Sequence, residues 1–405
     1  MTINRRAAET EALSAWITRQ GIEGGAFDGF LEDLCTRLVD AGVPLIRMNL
    51  SMRALHPEIG AFAYRWKRKT GMIREDYARA SVAVTGWDQS PLKVLVEGPD
   101  TEIRYALHSQ KGPMPFPMFD ELVDMGATDY FAQQLPMSRW QGSTEQDRTT
   151  DNGMLVSWTS DGPNGFSEHD LDVLRGLLPS LGLALKSTAN YTTARDLLGV
   201  YLGGDAGARV MSGDILRGSL DKIRCAILYF DLQGFTRLSE ALPPETLIEM
   251  LNAYFGEVVE IVERHGGNVL KFMGDGLLAI FSEVGDGASR LAALDAVVEM
   301  RAAMTDINER RAADGLSVTG FNAALHAGEV LYGNIGGTTR LDFTVIGPAV
   351  NAAARILGMC NGLDQNILVS SIVAKPALDA RPALVSLGQY RLRGVADRVE
   401  LFAID

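Results

Sequence analysis

Two short segments each place an aspartate where chemistry would use one. Tyr229-Phe230-Asp231-Leu232-Gln233-Gly234-Phe235-Thr236 closes an apolar run, and Lys271-Phe272-Met273-Gly274-Asp275-Gly276 forms a glycine turn between two apolar runs. A carboxylate at the end of a buried strand is costly unless something positive meets it. Taken singly, each aspartate reads as a turn or helix cap. Together, on a strand end and a neighbouring hairpin, Asp231 and Asp275 make a donor pair for two Mg²⁺ (or Mn²⁺) ions bridging to a nucleotide triphosphate. The Leu232 carbonyl is a further candidate ligand.

A second cluster lies between Asp342 and Arg355. Gly347-Pro348 marks a strand-to-helix corner, and Asn351 and Arg355 follow at i and i+4, on one helix face. Ala352, Ala353 and Ala354 between them keep that helix slim. The pair reads either as an exposed surface pair or as polar groups aimed at a ribose and a phosphate. An always-charged guanidinium fork suits a phosphorus centre whose equatorial oxygens carry spread charge. The residues alone leave both readings open.

These groups need a frame, and the C-terminal half predicts one by regular alternation. A strand is expected over 223–231, a helix from Pro243-Pro244-Glu245 to about Arg264, and a hairpin over 268–283 turning at Gly274-Asp275-Gly276. A long helix over 286–312, a strand pair near 318–334, a strand over 341–346 and a helix over 348–358 follow. Strands near 366–370, 384–392 and 398–404 complete the chain. The order is β-α-β-β-α-β with a C-terminal extension, the ferredoxin-like plan. The fold class is α+β.

The N-terminal half predicts helices near 7–20 and 26–41, and strands over 45–52, 62–67, 102–108 and 154–159. Helical stretches near 118–125 and 167–187 interrupt them, giving an α+β domain. Ser167 is the expected N-cap of the last helix, with acidic residues in its first turn. That helix extends toward Leu198, and Gly203-Gly204-Asp205-Ala206-Gly207 breaks the pattern. The expected organisation is a regulatory domain over 1–187, a helical linker over 188–214 and a catalytic domain over 215–405.

Composition bounds the partners. The 405 residues carry 51 acidic and 38 basic side chains, a net charge of −13. With no basic stripe to displace counterions, a nucleic acid is not an expected partner. Three distant cysteines, Cys35, Cys225 and Cys360, fit buried small hydrophobes in a reducing compartment, and they have no zinc spacing. No apolar run approaches the ~20 residues of a membrane span. Met1-Thr2-Ile3-Asn4-Arg5-Arg6 lacks the apolar core of a signal peptide, so a cytoplasmic location is expected.

Four motifs together, in order, carry a resemblance. They are Phe230 to Thr236, Lys271 to Asp275, His326-Ala327-Gly328-Glu329-Val330-Leu331-Tyr332-Gly333-Asn334-Ile335-Gly336-Gly337, and Thr344 to Arg355. The segment from about 215 to 405 resembles a class III nucleotidyl cyclase catalytic domain. The resemblance implies that Asp231 and Asp275 hold the metals and that Lys271 and Thr344 read the base. It implies that Asn351 orients the ribose and Arg355 stabilises the transition state. Phe235 and Thr236, in the first motif, are expected to contact the substrate. Arg393, in Leu392-Arg393-Gly394, falls where many members carry a triphosphate-binding lysine, a change that keeps the charge but alters the geometry. Guanylate-forming members typically have Glu, with Cys or Ser, at the Lys271 and Thr344 places, so ATP is the implied substrate and cyclic AMP with pyrophosphate the implied products. Thr344 in place of Asp is similar to a bicarbonate-responsive subgroup. Family sites lie at a head-to-tail dimer interface, so a homodimer with two shared sites is implied.

The alternative on the same fold is a catalytically silent nucleotide-binding regulator. Such relatives usually lose a metal aspartate or the Asn/Arg pair, and all four residues stand here. A diguanylate cyclase is disfavoured because Gly203-Gly204-Asp205 precedes the first core strand. The end of the N-terminal half, Gly153 to Thr159 followed by Gly165-Phe166-Ser167 and an apolar helix, resembles a GAF-type sensor, which implies an unknown small-molecule ligand or signal. Trp66, Tyr105, Tyr130, Phe131 and Trp158 either line its pocket or form its core. Cys35 and His108 are weak candidates for holding a chromophore or haem.

Overall fold

The computed structural model describes residues 2–24, 27–54, 59–78, 86–109, 112–137, 153–283, 287–378, 383–395 and 397–404. The chain divides into two compact units, Met1–Leu197 and Leu198–Asp405.

The first unit contains α1 (Thr2–Glu23), α2 (Phe27–Asp40), β1 (Leu45–Arg53), β2 (Ile59–Lys67), β3 (Gly71–Ala78), α3 (Pro91–Glu97), β4 (Glu102–Tyr105), α4 (Pro117–Asp124), β5 (Asp129–Pro136), β6 (Gly153–Ser160) and the start of α5 (Glu168–Leu202). Its six strands form an antiparallel sheet in the order β3-β2-β1-β6-β5-β4. Period-two alternation splits the side chains between two faces. Leu31, Leu34 and Leu38 of α2 and Leu174, Leu177 and Leu181 of α5 pack with Met48, Leu50, Val156 and Trp158 on one face. Leu92 and Leu95 of α3 and Phe119 and Leu122 of α4 cover Tyr130 and Ala132 on the other. Ser167 caps α5 as expected, its hydroxyl accepting from the Asp170 amide at 3.2 Å while the Asp170 carboxylate accepts from the Ser167 amide at 2.8 Å.

Two strands, β3 and β5, were not anticipated. Glu75 and Asp76 make β3 polar, and its partner β2 rather than its own pattern holds it extended. The strand expected over 102–108 stops at Tyr105, and Leu107–Ser109 is a 3₁₀ turn. The linker breaks only at Gly203, and a helix resumes at once as α6 (Gly204–Met211).

The second unit continues with β7 (Leu220–Leu232), α7 (Phe235–Ala241), α8 (Pro244–Arg264), β8 (Asn268–Met273), β9 (Gly276–Ser282), α9 (Ala288–Ala313), β10 (Phe321–Gly336), β11 (Leu341–Ile346), α10 (Pro348–Leu357), α11 (Cys360–Leu363), β12 (Ile367–Ser370), α12 (Ser371–Ala374), β13 (Leu384–Tyr390) and β14 (Val399–Ile404). The sheet order is β13-β14-β12-β10-β7-β9-β8, with β11 also paired to β10. Within it, β10-β7-β9-β8 is the 4-1-3-2 antiparallel arrangement of a βαββαβ unit. The strand pair expected near 318–334 is instead one long strand. Residues 321–333 pair with β7 on one edge, while 331–336 pair with β11 and 323–325 with β12 on the other, so the strand runs on without a turn.

Alternation again sorts the faces. Ala226, Leu228, Phe230 and Leu232 of β7 and Leu277, Ala279 and Phe281 of β9 pack on Met250, Tyr254 and Val258 of α8 and Val297 and Met300 of α9. Cys225 and Ile227 of β7 and Leu278 and Ile280 of β9 face Phe343 and Val345 of β11 and Ala349, Val350 and Ala353 of α10. Asp231, in step with Cys225 and Ile227, belongs to the α10 and β11 face.

Candidate active site

Asp231 is the penultimate residue of β7 and lies opposite Gly276, the first residue of β9. The Leu232 amide donates to the Asp275 carbonyl at 3.1 Å, so the strand end and the hairpin turn are joined beside both carboxylates. Gly276 is required by this closeness. A Cβ there would stand 2.6 Å from the Phe230 carbonyl oxygen and 3.0 Å from Asp231 Oδ1. Both aspartates are half-buried. Burial, and then the charge of Asp275, pushes the Asp231 carboxyl up to about 6. A divalent cation bound between the two carboxylates would offset both effects. Among the described residues no group of three or more His, Cys, Asp or Glu side chains forms a complete cation cage. The fit is therefore to an ion that takes its remaining ligands from phosphate oxygens and water.

Lys271 lies opposite Leu278 on β8, which puts it on the same sheet face as Asp231. Its ammonium is paired with the carboxylate of Asp342, the second residue of β11. The sequence alone assigns Asp342 no role, although it stands in the Asp342–Arg355 segment. Only the pairing of β11 with β10 carries it toward β8. Thr344, two residues on, is half-buried opposite Gly333. Phe343 between them turns the other way, against Tyr332, with ring centroids 4.8 Å apart.

Asn351 and Arg355 are exposed on α10, and among the described residues neither side chain has a hydrogen-bond or ion-pair partner. The opposite side of α10 is buried through Val350, Ala352, Ala353 and Ile356. Gly328 of β10 allows that approach, since a Cβ there would meet the Ala349 Cβ at 2.7 Å. Arg393 is exposed after β13, also without a partner among the described residues. Phe235 packs its ring on the α8 and α9 core, which leaves its backbone as the part free to face a substrate, and Thr236 beside it is exposed.

An amide chain flanks Asp231. Asn322 of β10, its register partner, is buried and accepts from Gln233 Nε2 at 2.8 Å while donating to Asn361 at 3.2 Å. Sequence reading missed this chain because its members lie on three separate segments.

In the N-terminal unit Trp66, Tyr130, Phe131 and Trp158 are buried in the core, and Tyr105 is half-buried. Cys35 is fully buried and its thiol is pushed well up by burial, so it has none of the thiolate character a covalent chromophore would need. His108 bonds the Thr128 carbonyl at 3.0 Å. Among the described residues no helix is long and apolar enough to cross a membrane.

Paired carboxylates at a strand end and a lysine on the same face stand on a βαββαβ sheet beside the Asn351/Arg355 helix. Residues 220–405 match the family described as the adenylate and guanylate cyclase catalytic domain. An adenylate cyclase of Anabaena cylindrica is 33% identical over 162 residues, covering 39% of this chain and 32% of the relative. The chain thus spans about a third of the length of the curated relatives it matches. Similar solved structures are the adenylyl cyclase CyaB from P. aeruginosa (27% identity, TM-score 0.43, 46% of this chain and 96% of that one) and the guanylyl cyclase Cya2 (32%, 0.41, 46% and 93%).

Proposed function

We propose that the C-terminal unit is an adenylate cyclase that converts ATP to 3′,5′-cyclic AMP and pyrophosphate. The observation that carries this is the Asp231–Asp275 pair, one member of which is held well above its ordinary pKa at the edge of the face bearing Lys271. Asp231, Asp275 and the Leu232 carbonyl would hold two Mg²⁺ or Mn²⁺ ions. When bound, these would acidify the ribose 3′-hydroxyl and neutralise phosphate charge. The hydroxyl oxygen attacks the α-phosphorus in line, the bond from that phosphorus to the bridging oxygen breaks with pyrophosphate leaving, and the hydroxyl proton passes to solvent water. Asp231 is the side chain nearest that proton in this reading, without being assigned as the base. Lys271 and Thr344 read the adenine, and their types favour it over guanine. Asn351 orients the ribose, and Arg355 meets the charge that develops on the phosphorus oxygens. Arg393 contacts the triphosphate, with Phe235 and Thr236 beside it.

The site is shared in a homodimer, one protomer giving the aspartates and its partner giving Lys271, Thr344, Asn351 and Arg355. The exposed, unpartnered state of Asn351 and Arg355 supports this, because polar groups kept free on a packed helix are placed for something outside their own protomer. The N-terminal unit acts as a GAF-like sensor of a small molecule, transmitting through α5. Purified full chain incubated with ATP or GTP and Mg²⁺ or Mn²⁺, with the product identified by mass, tests the activity. Cyclic AMP from ATP is expected, and GTP turned over in preference overturns the base assignment. Deleting residues 1–190 with no change in rate or regulation overturns the sensor role.

A further inference from the structure

Buried polar atoms in folded proteins are almost always hydrogen-bonded. Among the described residues, three in the N-terminal unit lack a partner of good geometry, and they are neighbours. Arg47 of β1 lies opposite Thr159 of β6, and Thr159 lies opposite Tyr130 of β5. Direct cross-strand partners project on the same face, so the three side chains form one row. Tyr130 and Thr159 are both fully buried. Arg47 is half-buried, with its Nη1 closed off from solvent. Arg47 Nη1 and Thr159 Oγ1 lack a hydrogen-bond partner, and Tyr130 Oη has only the nearby Ser157 hydroxyl, short of good hydrogen-bond geometry.

Arg47 is the acute case. Among the described residues no carboxylate stands within ion-pair reach of it. Two lie in its field, Glu121 of α4 and Glu75 of β3. Glu75 is already engaged by Arg65 at 2.8 Å and by the Tyr77 hydroxyl at 2.7 Å. Arg65 also donates to Asn49 at 3.2 Å and adds a second positive charge toward Arg47. Burial first, with Arg65 adding to it, lowers the Arg47 pKa, while Tyr130 and the two glutamates oppose this. Tyr130 continues the row to Tyr105 of β4, which packs on Phe116 and Phe119, so the polar row has an aromatic wall at one end.

Water could satisfy the two hydroxyls but would leave the guanidinium without a counter-charge, and an unpaired charge of this kind is costly to bury. A guanidinium with two hydroxyl donors suits an oxyanion, which accepts from all three. We propose that the row Arg47–Thr159–Tyr130 binds the carboxylate or phosphate group of a small-molecule ligand.

Binding alone is at issue, so the test is independent of the cyclase assay. The full chain is melted with succinate and, separately, with inorganic phosphate at millimolar concentration, and affinities are measured by calorimetry. One anion is expected to raise the melting temperature, and which one does so separates a carboxylate ligand from a phosphate ligand. Arg47→Met should abolish that rise. Without anion it should itself melt a few degrees higher, because it removes an unpaired charge. Tyr130→Phe and Thr159→Val should each weaken binding several-fold while leaving the fold intact. The proposal is overturned if neither anion shifts the native chain or if Arg47→Met responds as the native chain does. It is also overturned if Arg47→Met lowers the anion-free melting temperature, since the guanidinium would then serve the fold.

Discussion

Lys271 of β8 and Asp342 of β11 form an ion pair across the sheet face that also carries Asp231. The lysine side chain is 28% exposed and the aspartate 58%, so the pair is wet on the acid side and its intrinsic strength is small. Its consequence is positional. One of three ammonium donors is held, and the other two keep a fixed direction.

Removing that hold should show in binding more than in chemistry. Asp342→Asn is expected to raise the KM for ATP several-fold with kcat little changed, because Lys271 must then be ordered by the nucleotide itself. Steady-state kinetics on the purified chain check this; equal losses in kcat and kcat/KM would count against it.

The base assignment makes a harsher demand. Lys271→Glu together with Thr344→Cys should move the ratio of ATP to GTP turnover by about tenfold or more toward GTP, since a misplaced hydrogen-bond group rejects the wrong base strongly. Parallel assays with both nucleotides read the ratio directly.

Asp231 should trade stability against activity. Its carboxyl is held near 6 in the fold against an ordinary value of 3.8. The folded state therefore binds the proton more tightly, and the metal-free native chain loses stability as pH rises from about 4 through about 6. Asp231→Asn should lack that loss, ending about 2 kcal/mol more stable than the native chain at pH 7 in a chelating buffer, after allowance for its partial exposure. It should also be inactive. Urea melts at pH 4.5 and 7 with EDTA measure the first effect, and native-like pH dependence in the variant would refute it.

His326 titrates the other way. It is buried on β10, its Nδ1 is 2.8 Å from the Ser370 hydroxyl, and burial lowers its pKa to about 4. The unfolded chain takes the proton first, so stability is full above about 6.5 and falls as pH drops toward 4, by up to about 3 kcal/mol. His326→Gln should flatten that segment of the pH–stability curve, read by chemical denaturation at pH 5 and 7.

Complementation tests the shared site. Neither Asp231→Asn nor Arg355→Ala should be active alone. Mixed one to one and allowed to exchange, they should recover roughly a quarter of native activity, because half the dimers are mixed and each holds one intact site. Failure to recover any activity in dimers shown to be mixed would end the shared-site reading.

Residue types and spacing by themselves determined much of this protein. Alternation of period two and of 3.6 named most strands and helices of the C-terminal unit. Short motifs named Asp231, Asp275, Lys271, Thr344, Asn351 and Arg355 as the groups to follow. These signals are local, carried by a turn glycine, an i,i+4 step or an apolar run, and local signals survive in one dimension. Tertiary structure decided the rest. It made residues 321–336 one strand, because strands on both edges hold it extended where its glycines alone would suggest a turn. It brought Asp342 to Lys271 and Asn322 to Asp231, contacts that depend on strand register between distant segments. It also brought Arg47, Thr159 and Tyr130 together, since only the pairing of three strands puts those side chains in one row.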